Sequence, residues 1–275
     1  MSDIYSQNLE RTPANYQPLT PLTLLERAAS VYPARIAIIY EGQKYSYSEF
    51  YIRCRKLASF LSINGIGRGD TVSVMLANTP SMLEAHYAVP MCGGVLHAIN
   101  TRLDASAIAF QLEHAESKML IADTAFSSIV SEATTTMTGK PIIIDYNDKE
   151  LQHAYPQIGE YDYEEALQSG DEAFDWLMPK DEWDAISVNY TSGTTGNPKG
   201  VVYHHRGAYL LAQGNIVTAS IKKHAVYLWT LPMFHCNGWC FPWSISVVGG
   251  IHVCLREGRA EAIWQLLNQH KVTHL

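Results

Sequence analysis

The sequence contains no long uninterrupted apolar run. Its most apolar window, Met82–Ile99, is broken by Glu84, His86 and Pro90. Hydrocarbon would leave those groups unsolvated, so the window fails as a membrane span. The N-terminal stretch MSDIYSQNLERTPANYQPL is polar and has no apolar signal core. Basic residues form no cluster, so neither nucleic acid nor anionic lipid is an expected partner. Cysteine is scarce and odd in number: Cys54, Cys92, Cys236, Cys240 and Cys254, with no C-x-x-C pair. That pattern points to reduced thiols in a cytoplasm-like compartment. It also disfavours zinc, although His235, Cys236, Cys240, His252 and Cys254 lie close in sequence. His204 and His205 adjoin on an expected strand, where neighbouring side chains face opposite ways, so they are not expected to grip one ion.

Charge is unevenly placed. Residues 160–184 hold ten of the 27 acidic side chains and one of the 20 basic ones, so this segment carries −9 and the rest of the chain +2 of the net −7. It reads as a solvated surface connection. Elsewhere, apolar β-rich runs alternate with helical patterns, the signature of an α/β fold. Hydrophobic residues make up 47% of the chain, enough for a sizeable core.

Thr20-Pro21 reads as N-cap and first residue of a helix through Tyr32. RIAIIY (Arg35–Tyr40) reads as a strand. Ser46 and Glu49 form a capping box for a helix with Phe50, Cys54, Leu57 and Leu61 on one face, stopped at Asn64-Gly65. Strands are expected at Thr71–Leu76, Val95–Ile99, Lys118–Ala122, Pro141–Ile144, Ala185–Tyr190 and Val226–Thr230. Thr79-Pro80 and Asp104 each open a helix, and a further helix is expected over Cys240–Val248. Val272–Leu275 reads as the start of another strand, which leads to the expectation that the sequence is a fragment. The expected organisation is a first α/β subdomain over 1–159, an acidic surface connection over 160–184, and the start of a second subdomain over 185–275.

TSGTTGNPKG follows directly on the apolar strand AISVNY. It packs three glycines, four hydroxyls and one lysine into ten residues. Glycines let backbone approach a ligand, and successive N–H groups can form an anion-binding concavity. With the hydroxyls and the Lys199 point charge, the loop suits a polyphosphate. It is not the P-loop of ordinary NTPases, which needs glycine just before the lysine; here Pro198 stands there.

YTSGTTGNPKGV (Tyr190–Val201) closely resembles the signature of the adenylate-forming superfamily, which includes acyl-CoA synthetases, luciferases and peptide-synthetase adenylation domains. YSYSEF (Tyr45–Phe50), MCGGVLHAINTRL (Met91–Leu103) and LPMFHCNGW (Leu231–Trp239) resemble further motifs of that family, with Thr101 where proline is common. The resemblance runs from about residue 15 to the end. It implies the large N-terminal domain of such an enzyme, layered sheets flanked by helices, truncated within the domain and without the small C-terminal domain. It implies ATP, CoA and Mg2+ as cofactors, the main Mg2+ ligand lying beyond residue 275. By resemblance, Thr191, Ser192, Gly193, Thr194, Thr195, Gly196 and Lys199 hold the β- and γ-phosphates, with Thr191 and Lys199 also acting in catalysis. The resemblance also places His235 at the border of the acyl pocket, near the reacting carboxylate and acting in catalysis; Trp239, close by in sequence, is a candidate for the pocket wall.

Relatives that take amino acids resemble one another in having aspartate after the phenylalanine, to pair with the substrate ammonium. Here Phe234 is followed by His235, which would not anchor an ammonium. The substrate expected is therefore a plain acid. At helical spacing Trp239 and Trp243 share a face, which either shortens the pocket or belongs to the core. The extended string is similar to a branch holding bacterial short- and medium-chain acyl-CoA ligases, including 3-methylmercaptopropionate–CoA ligases, and plant peroxisomal acyl-activating enzymes. The reaction implied is carboxylic acid, ATP and CoA to acyl-CoA, AMP and pyrophosphate, with the fragment inactive alone. The alternatives are a non-catalytic nucleotide-binding fragment and an adenylating enzyme that serves a carrier protein. A cytoplasmic location is expected, or a peroxisomal one for a plant source.

Overall fold

In a computed structural model of the chain, residues 4–5, 7–151, 153–191 and 198–275 are described. The α/β class and the layered architecture are as expected, with two sheets and helices against them. The larger sheet has seven strands in the order β7-β6-β5-β3-β4-β8-β9. These are β3 (Thr71–Met75), β4 (Val95–Ala98), β5 (Ser117–Asp123), β6 (Ile142–Tyr146), β7 (Tyr161–Asp162), β8 (Ala185–Thr191) and β9 (Lys199–His204). All neighbours run parallel except β8 and β9, which form an antiparallel pair. The smaller sheet has the order β10-β11-β1-β2, from β1 (Ile36–Tyr40), β2 (Gln43–Ser46), β10 (Val226–Leu228) and β11 (Ile251–Val253). Strands from both sides of residues 160–184 therefore share each sheet, and the connection does not separate two sheets.

The two-residue period of a strand explains why the large sheet is covered on both faces. On β5, Met119 and Ile121 join one core with Leu57, Tyr87 and Trp243, while Leu120 and Ala122 join another with Ile108 and Val130. The first core is built from α1 (Leu22–Val31), α2 (Tyr47–Ile63), α3 (Pro80–Met91) and α8 (Phe241–Val247); the second from α4 (Ala105–His114) and α5 (Ser127–Thr135). Among the described residues no helix is long and apolar enough to cross a membrane.

Local signals largely hold. Ser46 and Glu49 make the capping box, and the predicted apolar stripe of α2 is fully buried. Asp104 Oδ1 accepts from Ala107 N at 2.8 Å and caps α4. Gly65 ends α2 with φ +90°, where a side chain would be strained. The start of α1 differs: Pro21 is the cap residue, and Thr20 lies one position further out. Thr20 Oγ1 still accepts from Leu22 N at 3.3 Å, and it also lies 2.9 Å from His205 Nδ1. Residues 160–184 are less solvated than their charge suggests. Asp162 caps α6 (Tyr163–Ser169), Glu164 pairs with Arg53 at 2.7 Å, and Glu182 pairs with Arg206 at 2.5 Å. The expected strand at the C-terminus is represented by one bridge, Tyr227 with His274.

Buried ion clusters tie the layers. Arg256 bridges Asp123 at 2.6 Å and Asp148 at 2.7 Å, and Tyr40 donates to Asp148. Arg53 binds Glu84 at 2.5 Å, and Tyr163 donates to that same buried carboxylate at 2.6 Å.

Candidate active site

A cavity of about 420 Å³ opens beyond the C-terminal ends of β4 and β8. Ligands of open α/β sheets bind at such strand ends. Three of the motifs picked out from sequence meet here. The end of β4 contributes Ala98 and the segment after it Asn100 and Leu103, with Ala107 and Gln111 from α4. The end of β8 contributes Asn189, Tyr190 and Thr191, and Phe234, His235 and Cys236 close the opposite wall.

Thr191 and His235 are thus brought to one cleft, 44 residues apart in sequence. Lys199 is the cross-strand partner of Thr191 in the β8–β9 pair, and both are exposed. Ser192, Gly193, Thr194, Thr195 and Gly196 lie outside the described residues. The chain enters and leaves the glycine-rich segment through one register-fixed pair, which sets Thr191 beside Lys199.

His235 is delivered by a clamp that sequence reading missed. Asn78, in the turn after β3, donates to Trp229 O at 3.0 Å and Leu231 O at 2.8 Å. Its Oδ1 accepts from Met233 N at 2.8 Å. One amide thereby satisfies two backbone groups of the LPMFH segment and a third, Trp229 O, just before it. An asparagine just before the Thr79-Pro80 helix start was the available signal, but it also fits an ordinary turn.

The next residues depart from the sequence expectation. Cys236, Asn237, Gly238, Trp239 and Cys240 all have φ between +41° and +62°. Only Gly238 is free of the Cβ clash, which costs about 1–2 kcal/mol per residue for the others. The right-handed helix begins at Phe241, so Trp239 and Trp243 do not share a helical face. Trp243 is fully buried and its Nε1 donates to His86 O at 3.3 Å. Trp239 is 48% exposed, outside the cavity lining, and meets the His235 ring edge-on at 6.3 Å.

Other histidines have structural partners. His204 Nδ1 accepts from Gly207 N at 2.8 Å and caps α7 (His205–Thr218), while His205 faces Thr20. His252 Nδ1 accepts from Trp229 Nε1 at 3.1 Å. Burial pushes the pKa of His86, His97 and His205 down to about 4 and that of His252 to about 3. Burial also raises the Tyr190 hydroxyl, which lies 2.7 Å from His114 Nδ1 at the cleft edge.

A mostly parallel α/β sheet thus carries Thr191 and the His235 segment together at the C-terminal ends of β4 and β8. The chain belongs to the AMP-binding enzyme family, whose pattern matches residues 25–275. It is 44% identical to a peroxisomal acetate/butyrate–CoA ligase of Arabidopsis thaliana, over 97% of this chain and 49% of that protein. It is 41% identical to a 2-methylpropanoate–CoA ligase of Humulus lupulus, over 98% of this chain and 50% of that protein. The fold is similar to o-succinylbenzoate CoA synthetase from Bacillus subtilis, solved with its acyl-adenylate intermediate. There the TM-score is 0.75 and the identity 25%, covering 91% of this chain and 60% of that one. The chain spans about half the length of the curated relatives it matches.

Proposed function

We propose that the protein carrying this chain is an AMP-forming acid–thiol ligase for a plain short- or medium-chain carboxylic acid. The observation that carries this reading is the shared cleft of Thr191 and His235 at the rim of β4 and β8. In the first step a carboxylate oxygen bonds to the α-phosphorus of ATP and the bond to pyrophosphate breaks. In the second, the CoA thiol bonds to the acyl carbon, its proton is lost, and AMP leaves.

Thr191, Ser192, Gly193, Thr194, Thr195, Gly196 and Lys199 hold the β- and γ-phosphates, so that charge developing on the departing pyrophosphate meets fixed donors. Mg2+ shares that charge when bound. His235 lies against the reacting carboxylate, and holding both reactants in one cleft supplies much of the rate. Trp239 reaches the acyl site through its contact with His235. An imidazole at position 235 offers an amino acid's ammonium no counter-charge, which favours plain acids. Two of the ligases similar to this chain, for acetate or butyrate and for 2-methylpropanoate, support short acids; 3-methylthiopropanoate is a further candidate. The 275-residue chain alone does not complete the reaction, since its relatives are about twice as long.

The test is acid-dependent exchange of pyrophosphate into ATP by the full-length protein. The acids are acetate, butanoate, 2-methylpropanoate, hexanoate, 3-methylthiopropanoate, cinnamate and an amino acid. Exchange with one or more plain acids and none with the amino acid is expected. Exchange with the amino acid alone, or with nothing, would overturn the reading. Robust exchange by the isolated chain would overturn its proposed incompleteness.

A further inference from the structure

The cleft lies at one edge of the large sheet, and a second cavity, of about 310 Å³, lies at the opposite edge. β3, β4 and β8 run parallel, so their first residues share that edge. Arg68 and Gly69 precede β3, Gly93 precedes β4, Asp184 and Ala185 lead into β8, and His205 opens α7. The volume is at the lower end of small-molecule sites, about 300–1,000 Å³.

Two cations stand at this cavity. Neither Arg68 nor Lys180 has an ion-pair partner among the described residues. Arg68 is nonetheless placed by backbone: its Nη2 donates to Met178 O at 2.8 Å, and Gly69 N donates to Gly93 O at 3.1 Å. Gly93 has φ +86°, and a Cβ there would meet Arg68 Cγ at 3.0 Å, so the glycine leaves room for the arginine stem. His205 supplies a third donor. It is 4% exposed and lines the cavity. Thr20 Oγ1 accepts from Leu22 N at 3.3 Å, so its own proton goes to His205 Nδ1, 2.9 Å away. Burial holds this imidazole at a pKa of about 4, so at neutral pH it carries one proton, on Nε2.

One acceptor faces these donors. Asp184 Oδ2 accepts from Lys180 N at 3.0 Å and Asp181 N at 3.2 Å, which fixes the carboxylate and leaves Oδ1 to the cavity. Asp184 and Arg68 act on the His205 ring in opposite senses, so both charges stand near one imidazole. Pro90, Leu177 and Pro179 add an apolar wall.

A polyphosphate or a dicarboxylate would meet repulsion from Asp184. An alkyl chain would leave three donors unpaired. A plain monocarboxylate would answer Arg68 and Lys180 but not Asp184. An α-amino acid with an apolar side chain answers every group. Its carboxylate matches the planar guanidinium and the ammonium, its own ammonium meets Asp184, and its side chain covers the apolar wall. The catalytic cleft has the opposite bias, because His235 gives an ammonium no counter-charge.

We propose that this cavity binds a free α-amino acid with an apolar side chain, at a site separate from the activation cleft.

The test is equilibrium dialysis of the full-length protein with radiolabelled L-leucine, with and without a non-hydrolysable butanoyl-adenylate analogue. Saturable leucine binding that the analogue leaves unchanged is expected. L-Leucinamide lacks the carboxylate and 4-methylpentanoate lacks the ammonium, and each should compete at least about tenfold less well than leucine. Arg68→Gln and Asp184→Asn should each weaken leucine binding about tenfold. The thermal midpoint should change little, because Arg68 is exposed and the asparagine amide oxygen still accepts the two backbone N–H groups. In Asp184→Asn the preference for leucine over 4-methylpentanoate should vanish, which general destabilisation would not produce. Absence of saturable binding, displacement by the analogue, equal competition by either competitor, or unchanged affinity in both variants would each overturn the proposal. Pyrophosphate exchange reads the cleft and dialysis reads this cavity, so the two readings fail separately.

Discussion

The interior of the large sheet and its rim at the ends of β4 and β8 follow different rules. In the interior, Arg256 answers two carboxylates, and His97 is bonded at both ring nitrogens. At the rim, Asn189 carries two of the eight buried side-chain atoms without a partner among the described residues. Four non-glycine residues there also adopt left-handed backbone. A fold retains unpaired amides and unfavourable φ values where binding, rather than folding, decides the residue. Stability is concentrated in the interior, and the rim draws on it.

The largest effect that would sharpen this contrast is on chemistry alone. Lys199→Ala or His235→Ala in the full-length protein should lower pyrophosphate exchange about 100-fold with little change in thermal midpoint, because both side chains are exposed. A matching loss of stability would blur the division. Arg256→Met should do the reverse, costing about 3–5 kcal/mol in denaturant unfolding by leaving Asp123 and Asp148 buried without their partner. Asn78→Ala joins the two regions: with the backbone groups Trp229 O, Leu231 O and Met233 N unpaired, stability should fall by about 1–3 kcal/mol and activity should fall with it.

Acid should attack the interior through its histidines. His86, His97, His205 and His252 are held neutral by burial, with folded pKa values of about 3–4 against 6.5 unfolded. The unfolded chain binds more protons between these values, so their contribution is full above about pH 6.5 and is lost as pH falls toward 4. Calorimetry near pH 5 in buffers of different ionisation enthalpy should register uptake of about three to four protons from these groups on unfolding. The smallest effect separates two exposed tryptophans. Trp239→Gly, at φ +51°, should hold or raise stability by up to about 1 kcal/mol, whereas Trp264→Gly inside α9 (Ala260–His270) should lower it by about 1 kcal/mol.

The interior was largely legible from sequence. The strands, the Ser46–Glu49 box, the Asp104 cap and the buried stripe of α2 follow from local chemistry and periodicity, which tertiary contacts do not override here. At the start of α1 the cap position falls on Pro21, one residue from the expected Thr20, whose Oγ1 nevertheless accepts from Leu22 N at 3.3 Å. Sheet membership was not legible: nothing local in AISVNY or IHVCL says that β8 lies beside β4 or β11 beside β1. At the rim, motifs singled out Thr191 and His235, which share the cleft. They did not single out Asn78, whose partners lie 151–155 residues away, or Gln111 and Asn189, which reach the cleft only once α4 and β8 are assembled. The polar residues inside VLHAI and AISVNY were the signal available, and each also reads as an ordinary interruption of an apolar strand. The left-handed run after His235 had no signature beyond Gly238.

The most direct measurement is a crystal structure of the full-length protein with a non-hydrolysable butanoyl-adenylate analogue. The acyl carbonyl should lie against His235 and the phosphate-side linkage beside Thr191, within the cleft at the ends of β4 and β8. An analogue bound elsewhere, with this cleft empty, would contradict the account.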